Sequence, residues 1–137
     1  KKGATIDAKA TVTRAQLAQA IGTAEFMLFE EGSDFKAEMV KLGFVDASYD
    51  WNKTATRGDA FTLLGKVFLE IGGEEGTTKS IGHITDIAKL DDASKKAINE
   101  LVEYKIVTGN GGKLMLDKNI TLEHLCKIMD SYVNPAW

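Results

Sequence analysis

The 137-residue sequence predicts an all-α fold, a compact pseudo-symmetric bundle of helix–loop–helix repeats. Three observations carry this expectation. Three segments each set a threonine ahead of apolar residues that recur every three to four positions, the period of a helix with one buried face. A second kind of amphipathic stretch precedes the last two of these segments. The single proline, Pro135, lies so near the C-terminus that nothing in the body of the chain interrupts a helix.

The threonine-led segments span 11–21, 54–64 and 119–129. Their apolar positions are Leu17, Ile21 and Phe26; Phe61, Leu64, Val67 and Phe68; and Leu125, Ile128, Met129 and Tyr132. Thr13, Thr56 and Thr121 are placed as N-caps, each accepting a hydrogen bond from a first-turn amide. Thr13 with Gln16 spells a capping box, and Thr56 with Asp59 an approximate one. The first of these helices is expected to run to about Glu31.

The second kind of stretch covers 33–43, with Ser33 as a cap and Gly43 as a terminator, and 92–105. After each comes an apolar pair, Phe44-Val45 or Ile106-Val107, read as a short strand-like step before a polar loop. Residues 39–45 therefore align with 101–107, although the loop from Val45 to Thr56 is three residues shorter than that from Val107 to Thr121. The glycine-rich, polar run 71–80 reads as an exposed linker. The whole chain, 1–137, is expected to be one domain divided into a partial repeat at 1–32, a second at 33–72 and a third at 73–137. On this reading Lys1-Lys2-Gly3 is an arbitrary start within a longer precursor.

Composition narrows the function classes. A net charge of −3 with mixed signs provides no basic face for nucleic acid. No apolar run approaches the roughly 18 residues of a membrane span. With Cys126 the only cysteine there is no internal disulfide, and with His83 and His124 the only histidines there is no zinc-site spacing. His124 and Cys126 stand two apart on a helix, face different directions, and so form no nucleophile–base pair. Asp46, Asp50 and Asn52 lack the glycine and glutamate of a calcium loop. The adjacent acids Glu30-Glu31, Glu74-Glu75 and Asp91-Asp92 read as solvated faces. The expectation is a non-catalytic protein with no metal and no cofactor.

The repeat pattern resembles that of S-layer homology repeats. In the third unit Ile84-Thr85-Asp86-Ile87 stands for the family's opening Phe-x-Asp-Val, and Ala97-Ile98-Asn99-Glu100-Leu101 for its first helix. Lys105-Ile106-Val107-Thr108-Gly109 stands for its Gly-Ile-x-x-Gly step, residues 109–116 for its glycine-rich loop, and Ile120-Thr121-Leu122-Glu123 for its Ile-Thr-Arg-Ala-Glu helix start. Val12-Thr13-Arg14-Ala15-Gln16 is close to that last motif, and Ala55-Thr56-Arg57-Gly58-Asp59 is recognisable. The interval from Leu114, in the loop's phenylalanine place, to Thr121 equals that from Ile6 to Thr13, so the resemblance covers almost the entire chain. Departures are Leu122 in the arginine place, the loop without its aspartate and proline, and a middle copy with no evident opening motif.

The resemblance implies an extracellular module on the bacterial cell surface. It would bind a cell-wall glycan, a secondary wall polysaccharide carrying pyruvate ketals, without membrane insertion. Arg14 and Arg57 would meet the ligand carboxylate, since a helix N-terminus favours an anion by about 0.3–1 kcal/mol and an arginine adds a planar fork. Trp51 is the candidate aromatic against the sugar, and Gly109, Asn110 and Gly112 the candidate loop contacts. Gly109, Gly111 and Gly112 are also expected to supply positive backbone dihedrals. Leu122 predicts an impaired third groove. The alternative is a degenerate repeat module that assembles with other surface-layer proteins.

Overall fold

A computed structural model describes residues 9–23, 34–73, 75–109 and 111–133. Among these residues five α-helices follow in order, α1 (Arg14–Thr23), α2 (Phe35–Lys41), α3 (Arg57–Gly72), α4 (Asp92–Glu103) and α5 (Leu122–Val133), with a 3₁₀ turn at Lys79–Ile81. The protein is all-α, with three isolated β-bridges and no strand among the described residues.

All three predicted threonine caps form. Gln16 N–H donates to Thr13 Oγ1 and Thr13 N–H to Gln16 Oε1, at 3.1 and 2.9 Å. Thr56 and Asp59 close a full capping box, at 3.0 and 2.9 Å. His124 N–H donates to Thr121 Oγ1 at 3.2 Å. A capping threonine satisfies only one of the amides left open at a helix start, and the amides before it are met from another segment. Arg14 N–H donates to Lys53 O, Arg57 N–H to Lys118 O and Leu122 N–H to Ala10 O, at 2.8, 2.7 and 2.8 Å. Each acceptor lies three residues before the next capping threonine. Ala15 N–H to Trp51 O and Gly58 N–H to Leu116 O repeat one register two residues further back. The bridges Thr13–Thr54, Thr56–Asn119 and Thr11–Thr121 complete a closed ring of three threonine segments.

The second helix type also repeats. Gly43 takes φ +81° and Lys105 φ +59° just after α2 and α4. Phe44 N–H then returns to Met39 O at 3.0 Å, and Ile106 N–H to Leu101 O at 2.8 Å, the six-to-one bond of a Schellman cap. The expected strand-like steps are therefore helix terminators. Phe44 and Ile106 turn back onto the core because the left-handed residue before each reverses the chain.

Two expected boundaries shift. Asp34 caps α2, accepting from Lys36 and Ala37 amides at 3.1 and 3.2 Å; Ser33 lies outside the described residues, as does the expected extension of α1 to Glu31. Helix α3 runs through Ile71 and Gly72, two residues into the expected linker, and ends where Gly73 turns left-handed at φ 65°. Gly76, Thr77 and Ser80 of that run are half-buried, with Gly76 between Leu69 and Lys96.

The core centres on α3 against α4. A Cβ on Gly65 would fall 2.0 Å from Ala97 O, so a glycine is needed for the two backbones to approach. Phe61, Leu64 and Val67 of α3 join Ile98 and Leu101 of α4, with Leu17 and Ile21 of α1, Met39 of α2, and Leu125 and Ile128 of α5, in one buried cluster.

Candidate functional site

The ring of threonine segments brings each residue following the cap towards the third residue after the next cap. At the first junction these are Arg14 and Asp59. The guanidinium binds the carboxylate through two bonds, Nε to Oδ2 at 3.1 Å and Nη2 to Oδ1 at 3.2 Å, with side chains only 18% and 15% exposed. Arg14 also stacks over Tyr49, 4.4 Å from the ring centroid. Burial would lower the Arg14 pKa, but the bond and charge of Asp59 outweigh it and raise it above its ordinary value. Burial and the neighbouring Asp59 charge push the Tyr49 hydroxyl up to about 12, against the opposing pull of Arg14.

At the second junction the residues are Arg57 and His124. Arg57 Nε donates to Leu114 O at 2.8 Å, and Nη1 lies 2.7 Å from His124 Nδ1. Guanidinium can only donate, so Nδ1 accepts and the imidazole is neutral with its proton on Nε2. Phe61 lies beneath both, 5.0 Å from the guanidinium carbon and edge-on to the imidazole at 6.0 Å. Burial lowers the Arg57 pKa against the more distant charge of Asp86. Burial, then Arg57, then Lys127 lower that of His124. At the third junction Leu122 occupies the arginine place, and Gln16 bonds back to its own cap.

These differences decide which hollow suits an anion. A cavity of about 240 Å³ opens beside Arg57 and His124, lined also by Thr108, Lys127, Val107 and Ile128. Its charged lining is wholly basic. Among the described residues, two larger hollows of about 510 Å³ each flank α3. One is lined by Asp46, Asp59, Asp91 and Asp117 against Lys66, which disfavours an anion. The other mixes Lys66 and Lys96 with Glu70, Glu75 and Asp92.

The glycine-rich loop is held from below. The Asp86 carboxylate accepts Leu114 N–H at 2.9 and 3.1 Å and Met115 N–H at 2.7 Å, while Thr85 N–H donates to Gly112 O at 2.8 Å. Burial pushes the Asp86 pKa up, but these amide bonds outweigh it and hold the carboxyl below its ordinary value. Thr85 and Asp86 therefore clamp the loop.

Of the expected site residues, Arg14 and Arg57 both reach a junction, but only Arg57 faces a cavity without a carboxylate bonded to its fork. The first-turn amides of α1 and α3 are not open to a ligand: neighbouring carbonyls and the cap take them. Trp51 is half-buried, edge-on to Phe35 and Tyr49 at 6.0 and 5.0 Å, and its carbonyl receives Ala15. That arrangement is packing between segments. Gly111 and Gly112 take the expected positive φ, 62° and 79°. Gly109 is absent from the positive-φ glycines, and its closeness to Ile84 Cδ1, 3.1 Å from a Cβ built there, is what favours glycine. Asn110 lies outside the described residues.

Three residues of the site escaped the sequence reading. Tyr49 stands seven residues before Thr56, as Leu114 stands before Thr121, so the loop interval was the available signal. Asp59 and His124 share the third place after the cap, and pairing that place with the preceding arginine required the ring closure. The chain matches no family model, and no curated protein is detectably similar to it.

Proposed function

We propose that this chain is a non-catalytic cell-wall anchoring module of S-layer homology type, its repeats closed in a pseudo-symmetric bundle on the bacterial cell surface. It binds an anionic secondary wall polysaccharide, with a carboxylate meeting the Arg57 pocket. The observation that carries this reading is the closed ring of three capped helix starts, in which Arg57 alone combines an arginine fork, a cavity and a non-acidic partner. With Nε on Leu114 O and Nη1 on His124 Nδ1, Arg57 keeps Nη2 as a charged donor that no carboxylate occupies, and burial beside Phe61 reduces competition from water. Co-sedimentation with purified sacculi tests it. Retention that disappears after the secondary polymer is removed supports the proposal; equal retention on both, or none on either, contradicts it.

A second reading is a degenerate module that assembles with other surface-layer proteins. Two junctions favour it, because Arg14 is bonded to Asp59 and Leu122 replaces the third arginine. Unchanged surface attachment in an Arg14→Ala, Arg57→Ala double variant supports that reading over the glycan one.

A further inference from the structure

The ring register sets His124 where Asp59 stands one unit earlier, and the consequence is chemical. Asp59 meets Arg14 with a carboxylate through two hydrogen bonds. His124 meets Arg57 only as a neutral acceptor, through a single 2.7 Å contact at Nδ1. A proton on Nδ1 turns that acceptor into a donor and sets two cations side by side. An oxyanion in the adjoining cavity resolves the conflict, since one oxygen can accept from the Arg57 Nη1 and another from the imidazolium.

The geometry points to the Arg57–His124 pocket as a proton-coupled oxyanion site, which takes a carboxylate- or sulfate-like group more tightly when His124 carries its second proton. This rests on the reading of Arg57 as the anion-facing residue. The charged groups facing His124 are Arg57 from α3 and Lys127 from its own helix, with Asp86 acting on Arg57 from further off. The segment 106–108 lines the cavity without a charge. Thr108 adds a hydroxyl at the rim, and Val107 and Ile128 wall the cavity with apolar surface. In the free site the surrounding cations and burial disfavour the proton, whereas a bound anion would favour it. Binding and protonation therefore strengthen each other, by a factor capped at about tenfold per pH unit for one proton.

Sulfate is a suitable probe because it does not titrate between pH 5 and 8. Imidazole NMR of the whole chain would follow His124 against pH, in sulfate and in chloride of equal ionic strength. The expected result is an upward shift of the His124 midpoint in sulfate and not in chloride, and sulfate binding at least about threefold tighter at pH 5.5 than at pH 7.5. In His124→Asn, which retains an acceptor for Arg57, that pH dependence disappears. An unmoved His124 midpoint, or an unchanged pH dependence in His124→Asn, overturns the proposal. Sacculus retention at the same two pH values separates a wall carboxylate from a free anion. Proton-coupled sulfate binding without sacculus retention supports the site and contradicts the anchoring function. Retention through Arg57 with an unmoved His124 does the reverse.

Discussion

Arg57 Nη1 lies 2.7 Å from His124 Nδ1, in the register that joins Arg14 to Asp59 one unit earlier. One geometric junction thus carries two chemistries. The acidic partner makes Arg14 a structural cross-link, and the imidazole leaves Arg57 with charge to offer.

The Arg14–Asp59 junction should behave as a fastening of the ring. Asp59 also accepts Thr56 N–H, so removing Asp59 disturbs a cap and an inter-segment bond together, whereas removing Arg14 breaks the inter-segment bond alone. Arg14→Ala is expected to lower stability by about 1–3 kcal/mol, because it strands a mostly buried carboxylate. Urea denaturation of Arg14→Ala, Asp59→Asn and the double variant checks this. The double loss should fall short of the summed single losses, and full additivity would contradict a shared interaction.

Acid should weaken the fold in two stages. The folded-state pKa of His124 is lowered, so the unfolded chain binds its proton first as pH falls. The associated stability is present above about pH 6.5, the ordinary histidine value, and is lost as pH falls through the folded value. Asp86 and Asp91 are likewise lowered, Asp91 chiefly by its bonds with Ser94, and their contribution is lost below the ordinary aspartate range. Thermal melts in chloride buffers should decline between pH 7 and 5, and His124→Gln should flatten that first decline alone.

The α3–α4 crossing has no room for a methyl group at Gly65, where a Cβ would lie 2.0 Å from Ala97 O. Gly65→Ala forces the backbones apart and is expected to cost about 3 kcal/mol or more. Circular dichroism against urea should show the midpoint fall; a neutral result would refute this packing.

Lys105 and Gly43 occupy the same left-handed cap position. A side chain there costs about 1 kcal/mol, partly offset by the greater unfolded freedom of glycine. Lys105→Gly is therefore expected to raise stability by up to about 1 kcal/mol, and Gly43→Ala to lower it by a similar amount, both measurable by urea titration.

Much of the helical frame was legible in the residues. Capping threonines act locally, through hydrogen bonds spanning three positions, so Thr13, Thr56 and Thr121 could be read directly. The Schellman caps were half visible: Gly43 announced one, whereas Lys105 hid the other behind an unfavourable dihedral. The site was less legible because its pairs are 45 and 67 residues apart and depend on ring closure. Arg14 and Arg57 look alike in sequence; the partner at the next cap distinguishes them. Trp51, just before Thr56, was the expected aromatic, but the arginine contact falls to Tyr49.

The central claim is that Arg57, and not Arg14, presents its charge to an anionic wall polymer. Co-sedimentation of Arg57→Ala and Arg14→Ala with polymer-bearing sacculi at pH 6 tests it most directly, with folding of each variant verified by circular dichroism. Arg57→Ala is expected to lose at least about tenfold in affinity, equivalent to one good charged hydrogen bond, and folded Arg14→Ala to bind near-normally. Undiminished binding by Arg57→Ala, or equal losses in both, would contradict it.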